Sequence, residues 1–182
     1  NLPLLKKISK TNMIKILSTG MSDYNEISKA VDCLEKKVVI MQCTSLYPTT
    51  NKFIGLNIIK ELKKKFPKCE IGFSDHSNSN SAAIGAVVYG ANYIEKHITF
   101  SNEMYGSDAK FAYEPIFFLT YCNEIKNISE ILNNPVDKND LKKFRKLKEV
   151  YEKSIVSKKL IKKGDKFNSD NLTVKKPGTG IP

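Results

Sequence analysis

The sequence has no apolar run near the ~20 residues that a membrane-crossing helix requires, so none is expected. It has no Cys-x-x-Cys pair either. Cys33, Cys43, Cys69 and Cys122 are scattered without pattern, which argues against a disulfide scaffold or a structural zinc site and makes reduced, cytoplasmic thiols the expectation. Cys43 stands near a strand end, where a redox or nucleophilic role is open, but a small buried hydrophobe is the expected one. No Gly-x-Gly-x-x-Gly phosphate loop occurs, against a dinucleotide-binding sheet. The formal charge of +11 suggests nucleic acid, yet no aromatic RNP-like run, Gly-x-x-Gly clamp or zinc-finger spacing accompanies it. Much of the basic excess lies in Lys60 to Lys65 and Lys142 to Lys163, the pattern of a solvated surface. The first residues, Asn1-Leu2-Pro3-Leu4, have neither an initiating Met nor a signal-peptide layout, and read as a chain entered midway.

What is present is a repeat of strand, loop and helix. Ile14 to Leu17 reads as a strand running into Ser18-Thr19-Gly20. The next helix has Asp23 and Glu26 as a capping pair and Ile27, Ala30, Val31 and Leu34 on one face. Val38 to Met41 is a second strand, followed by a helix that turns Leu56, Ile59, Leu62 and Phe66 inward and ends at Pro67. Ile71 to His76 is a third strand. Its helix, around Ala82 to Val88, is small or apolar nearly all round, which implies deep cover, with Gly90 at its C-terminal cap. Tyr93 to Thr99 is a fourth strand. A loop from Phe100 to Tyr113 then leads to a helix of about sixteen residues that stops at Asn133-Asn134-Pro135.

Four such units, roughly 25 to 30 residues apart, indicate a parallel α/β fold. In each, polar residues gather at the C-terminal end of the strand, where a (β/α)8 barrel carries its chemistry. Four units are half a barrel, so the chain is expected to be a fragment. Residues 1–135 are the half barrel, 136–153 a Lys-rich linker or exposed helix, and 154–182 the beginning of a small β-rich domain.

Only two histidines occur, His76 and His97, each at the end of a short apolar run. Strand alternation puts Gly72, Ser74 and His76 on one face, and Glu95, His97 and Thr99 on one face of the next strand. If both faces meet, two imidazoles converge with a carboxylate one layer below, a two-histidine metal site with open positions. The competing reading is a pair of hydrogen-bonded core histidines. No His-Glu-x-x-His run is present, so the geometry must come from the fold. Asp75 alternates away and is expected to orient a neighbouring loop or helix. Glu95 is read as a partner holding an imidazole or as part of a buried ion pair, and Tyr47 as a possible packing neighbour of Pro48.

Ser18-Thr19-Gly20-Met21, Cys43-Thr44-Ser45-Leu46-Tyr47-Pro48-Thr49, Gly72-Phe73-Ser74-Asp75-His76-Ser77 and Ile94-Glu95-Lys96-His97-Ile98-Thr99 closely resemble the N-acetylneuraminate (sialic acid) synthase family. Gly106-Ser107-Asp108 and Lys175-Lys176-Pro177-Gly178-Thr179-Gly180 continue the match. The resemblance implies the C-terminal half of a TIM barrel followed by the start of an antifreeze-like (SAF) domain. The implied enzyme is a cytoplasmic transferase of carbohydrate biosynthesis. It condenses phosphoenolpyruvate with an N-acetylated aldose such as N-acetylmannosamine, giving a nonulosonic (sialic) acid and phosphate. By the same resemblance His76 and His97 are catalytic and hold a divalent cation, usually Mn2+. Ser45 and Ser74 match positions that contact phosphoenolpyruvate, and Tyr47 and Asp108 match sugar-binding positions. Lys176 matches a position that reaches the sugar's acyl group in a homodimer where the SAF domain of one subunit covers the other's site. The family often has Asn at Ser45, Pro at Ser107 and Arg at Lys176. Lysine cannot reproduce the planar fork of arginine, so legionaminate- or pseudaminate-type synthases are alternatives. The family's earlier Lys, Ser and Glu residues for phosphoenolpyruvate are not in this sequence, which leaves a non-catalytic assembly module as a further alternative. Membrane and nucleic-acid partners are not expected.

Overall fold

Short apolar runs that end in polar residues become the strands, and amphipathic runs between them become the helices, as the periodicity implies. The computed structural model describes residues 1–181; Pro182, the last residue of the expected small domain, lies outside the described residues. The chain divides into two units, Asn1–Asn134 and a second that starts at Pro135.

In the first unit the order is α1 (Leu2–Ser9), β1 (Lys15–Ser18), α2 (Tyr24–Leu34), β2 (Val38–Gln42), α3 (Leu56–Lys65), β3 (Glu70–Asp75), α4 (Asn80–Val88), β4 (Tyr93–Lys96) and α5 (Pro115–Asn133). The four strands form one parallel sheet in the order β1-β2-β3-β4. Each strand is laid beside the one before it, without the reversal of strand order that marks a doubly wound sheet.

One face of the sheet carries the apolar core. Ile40, Ile71 and Phe73 pack there with Ile27 and Leu34 of α2, Ile59 and Leu62 of α3, and Ala82 and Ala86 of α4. Ile40, Ile59, Leu62 and Ala86 are 0% exposed, and burying each of the larger three contributes ~1.5–3 kcal/mol. The other face is open at its edges, with Ile16 56% exposed and Ser18 and Glu95 in solvent. A sheet covered by helices on one face only is what half of a barrel looks like. On that second face Gly72 leaves room for the Met41 side chain and the β4 backbone: a Cβ there would lie 2.2 Å from Met41 Sδ and 2.8 Å from the Tyr93 carbonyl oxygen.

Local details follow from capping chemistry. Asp23 Oδ1 accepts from the backbone N–H groups of Asn25 (2.9 Å) and Glu26 (2.8 Å), and Glu26 Oε2 accepts from that of Asp23 (3.1 Å). Asp23→Ala is expected to cost about 1 kcal/mol of stability, read as a lower urea midpoint with an unchanged slope. α4 closes at Gly90, whose φ of +96° suits glycine and whose N–H donates to the Val87 carbonyl at 2.9 Å.

The bounds of β1 to β3 differ by a residue from the sequence reading, β3 running Glu70–Asp75 so that His76 lies just past its end, and three further differences are larger. α1 was not anticipated; Asn1 caps it, its Oδ1 accepting from Leu4 N–H at 3.2 Å, with Pro3 in the first turn. α5 is 19 residues long rather than about sixteen. β4 ends at Lys96 instead of Thr99, because beyond it the backbone exchanges partners. Tyr113 N–H donates to the His97 carbonyl (2.9 Å) and Thr99 N–H to the Tyr113 carbonyl (3.0 Å).

The second unit holds α6 (Arg145–Tyr151) and an antiparallel pair, β5 (Ser154–Ser157) and β6 (Leu172–Lys175), with Ser154 opposite Lys175. The stretch read as linker or exposed helix thus carries a helix, whose Glu149 carbonyl accepts from Gly178 N–H at 2.8 Å. Buried Ser154 ties the end of the chain down: its Oγ donates to the Pro177 carbonyl and accepts from Gly180 N–H, both at 2.8 Å. No helix among the described residues is long and apolar enough to cross a membrane.

Candidate functional site

The site is set by the last two rungs of the β3–β4 ladder, where Ser74 pairs with Glu95 and Asp75 with Lys96. Both strands end there, so His76 and His97 are the next residues along two aligned chains. Their ring centroids lie 5.3 Å apart at an interplanar angle of 59°. The sequence reading that both would face a common space is what the geometry displays.

On the same face, Ser74 Oγ donates to Glu95 Oε1 at 2.5 Å and lies 3.2 Å from His76 Nε2. His76 Nδ1 sits 2.8 Å from the Thr44 carbonyl oxygen. A carbonyl can only accept, so Nδ1 carries the hydrogen, and the lone pair of a neutral ring is on Nε2. Ser74 has one hydroxyl hydrogen, already given to the carboxylate. In the neutral ring Nε2 then receives no hydrogen from Ser74, which leaves its lone pair suited to an electrophile. The backbone holds the ring in place, since Thr49 N–H donates to the His76 carbonyl at 2.8 Å.

Tyr47 roofs the pair. Its ring centroid is 4.3 Å from that of His76 and 5.8 Å from that of His97. It packs on imidazoles rather than serving only as a neighbour of Pro48. Its phenol is raised above the usual tyrosine range, by partial burial first and then by nearby Cys43, Asp108 and Glu95. Asp108 Oδ2 is 3.8 Å from His97 Nδ1, too long for a direct hydrogen bond but close enough to face the same cleft. That cleft, about 410 Å³, is lined by His97, Thr99, Tyr105, Ser107 and Asp108 among others.

Ser45 is exposed on the loop after β2, against Gly20, where a Cβ would come within 2.9 Å of its Oγ. Gly20 N–H in turn donates to Cys43 Sγ at 3.0 Å, giving that buried thiol a structural partner. His76, His97, Ser74, Tyr47 and Asp108 are thus brought together, with Ser45 on the neighbouring loop. Lys176 belongs to the second unit, where its Nζ lies 5.1 Å from the Tyr151 ring centroid.

The separation of the two rings is compatible with a shared cation. A metal-bound imidazole nitrogen lies ~2.1 Å from the ion and the ring centroid about 1.1 Å farther, so two such rings must have centroids within roughly 6.5 Å. The observed 5.3 Å meets that limit. Among the described residues no cluster of three or more His, Cys, Asp or Glu side chains surrounds a common point, so protein ligands would leave several positions open.

Behind the histidines, on the helix face, is an ion pair that the sequence reading did not identify. Lys96 Nζ is 3.2 Å from Asp75 Oδ2, with side chains 2% and 0% exposed. Asp75 also accepts from Tyr121 Oη (3.1 Å) and Ser77 N–H (2.8 Å), while Lys96 donates to the Ser77 carbonyl and lies 4.4 Å from the Tyr113 ring centroid. Burial pushes the Lys96 ammonium below the usual lysine range, opposed by Asp75. It pushes the Tyr121 phenol up, with Asp75 adding to the effect. The signal was present, since Ser-Asp-His and Glu-Lys-His stand 21 residues apart in the same order. Only the ladder register turns that spacing into contacts. The Thr44 carbonyl had no sequence signal, being backbone.

A one-sided parallel α/β sheet with its polar residues converging beyond the strand ends defines a barrel-type, strand-end site. The chain belongs to the NeuB family, whose model matches residues 1–137. It is 38% identical over 187 residues to the N,N'-diacetyllegionaminic acid synthase of Campylobacter jejuni, an alignment that covers 100% of this chain and 55% of that protein. Among solved structures it resembles the N-acetylneuraminic acid (sialic acid) synthetase of Leptospira borgpetersenii in complex with citrate. There the TM-score is 0.72 at 29% identity, over 81% of this chain and 53% of the other. The spore coat polysaccharide biosynthesis protein SpsE of Bacillus subtilis gives a TM-score of 0.70 at 29% identity, over 97% of this chain and 55% of its own. The chain thus spans about half the length of the relatives it matches.

Proposed function

We propose that this chain carries the metal and sugar-binding half of a synthase that condenses phosphoenolpyruvate with an N-acetylated aldose, releasing phosphate and forming a nonulosonic acid for carbohydrate biosynthesis. The observation that carries the reading is the pair of imidazoles at the strand ends, their ring centroids 5.3 Å apart. His76 and His97 would hold a divalent cation, taken to be Mn2+. When bound, the cation supplies Lewis-acid polarisation of the sugar aldehyde and steadies the negative charge that develops on its oxygen.

The chain's own groups do the rest. The Thr44 carbonyl keeps the His76 hydrogen on Nδ1 and so leaves Nε2 free to bind. Tyr47 covers one side of the rings. Exposed Asp108 has a carboxylate available for sugar hydroxyls, and Ser45 and Ser74 offer hydroxyls to phosphoenolpyruvate oxygens. Ser74 would then exchange its bond to Glu95 for one to substrate.

The same proposal takes the first unit as the later four of eight barrel units and the second as the start of an SAF domain. In a cytoplasmic homodimer, Lys176 of the SAF domain would approach the sugar's acyl group in the partner's site. It is supported by the one-sided sheet, the outer edges of β1 and β4 that pair with no further strand among the described residues, and relatives about twice as long. The 38% identical C. jejuni relative favours a diacetylated, legionaminate-type precursor as a second reading of the sugar.

The test is phosphate release by the whole protein with phosphoenolpyruvate, Mn2+ and a panel of N-acetylated and N,N'-diacetylated hexoses. One sugar is expected to release phosphate at least ~10-fold faster than the others, a difference of about 1.4 kcal/mol in transition-state binding. Release with no sugar of the panel would overturn the assignment.

A further inference from the structure

The ion pair on the helix face sits at a mechanically informative position. Asp75 and Lys96 are register partners on the last paired rung of β3 and β4, and the residues that follow them are His76 and His97. One rung earlier, Ser74 and Glu95 are joined on the opposite face at 2.5 Å. The two strand ends are therefore cross-linked by side chains on both faces, one rung apart, just before each chain leaves the ladder. From there the backbones go separate ways, His76 bonding to Thr49 and His97 to Tyr113.

We infer that Asp75 and Lys96 are positioning residues: their buried bond, fastened to α5 through Tyr121, sets the distance between the His76 and His97 rings. A general stabilising role would not require this placement. Asp75 divides its oxygens, Oδ1 to Ser77 N–H and Oδ2 to both Lys96 and Tyr121, so the turn after His76 and the middle of α5 are held by one carboxylate. Lys96 reaches across to the Ser77 carbonyl, holding the residue after His76 from the neighbouring strand, and its ammonium rests on the rings of Tyr113 and Tyr121, 4.4 and 5.6 Å from their centroids. Tyr113 in turn supplies the N–H that bonds His97. The clamp thus touches the residue after His76 and the residue hydrogen-bonded to the His97 backbone. Displacing a ligand by ~1 Å is enough to degrade a metal site.

The inference rests on the proposed two-histidine cation site for its functional meaning, but its test need not. The Asp75→Asn/Lys96→Met variant of the whole protein removes both charges together while keeping the Asn able to bond Ser77 and Tyr121. Tyr121→Phe removes only the tie to α5. In the metal-free protein, proton NOEs between the two histidine rings are expected in the wild type and lost or weakened severalfold in the double variant, with the methyl signals of Ile40 and Ile59 unmoved. Mn2+ titration followed by electron paramagnetic resonance is expected to give a Kd raised ~10–100-fold in the double variant, with a smaller rise in Tyr121→Phe. A folded double variant that keeps the ring-to-ring NOEs and wild-type Mn2+ affinity would overturn the inference. A wild type that shows the NOEs but binds no Mn2+ would instead overturn the proposed function, and the NOE comparison would still decide the clamp.

Discussion

His76→Ala and His97→Ala are each expected to weaken Mn2+ binding by the whole protein ~100-fold or more and to abolish phosphate release. The magnitude follows from the donor set. The chain has two histidines and both rings lie at the site, and even outer partners of metal ligands typically cost 10–100-fold when removed. Loss of one ring leaves a single neutral ligand for a cation that must shed water to bind. Fold stability should change little by comparison, because His76 and His97 are only part-buried and the core on the other face of the sheet is untouched. Calorimetric titration of the purified variants with Mn2+ checks this. Wild-type affinity in both single variants would remove the two-histidine site.

The second large effect concerns stability. Lys96→Met alone leaves the Asp75 carboxylate 0% exposed without its cation, and is expected to destabilise the first unit by ~3–5 kcal/mol. The companion change Asp75→Asn removes the stranded charge, so the double variant is expected to recover most of that loss. Urea unfolding of the two single variants and the double variant measures the coupling. Equal destabilisation of Lys96→Met and the double variant would show that the pair is not energetically linked and that Met simply packs badly between Tyr113 and Tyr121.

Much of the architecture was readable from residues. The capping pair Asp23 and Glu26, the inward stripe Ile59 and Leu62 and the glycine that ends α4 all act locally, within a few residues, and the structure has them as expected. The ends of β4 and α5 were less legible, since what stops a strand is the next available hydrogen-bond partner, and Tyr113 is sixteen residues beyond His97 (113 − 97). α1 escaped notice because its apolar residues stay at least partly exposed and its cap is an asparagine at the first position.

Sequence alone determined that two histidines close short apolar runs, that Ser-Asp and Glu-Lys precede them in matching order, and that alternation sends one member of each dipeptide to each face of a sheet. Whether the runs lie side by side, and in which register, was decided by tertiary structure. The physical reason is that a parallel pair needs a helical crossover between its strands, and the packing of α4 sets how far one strand slides along the other. A slip of one residue would have put His97 beside Asp75 and turned the imidazoles to opposite faces.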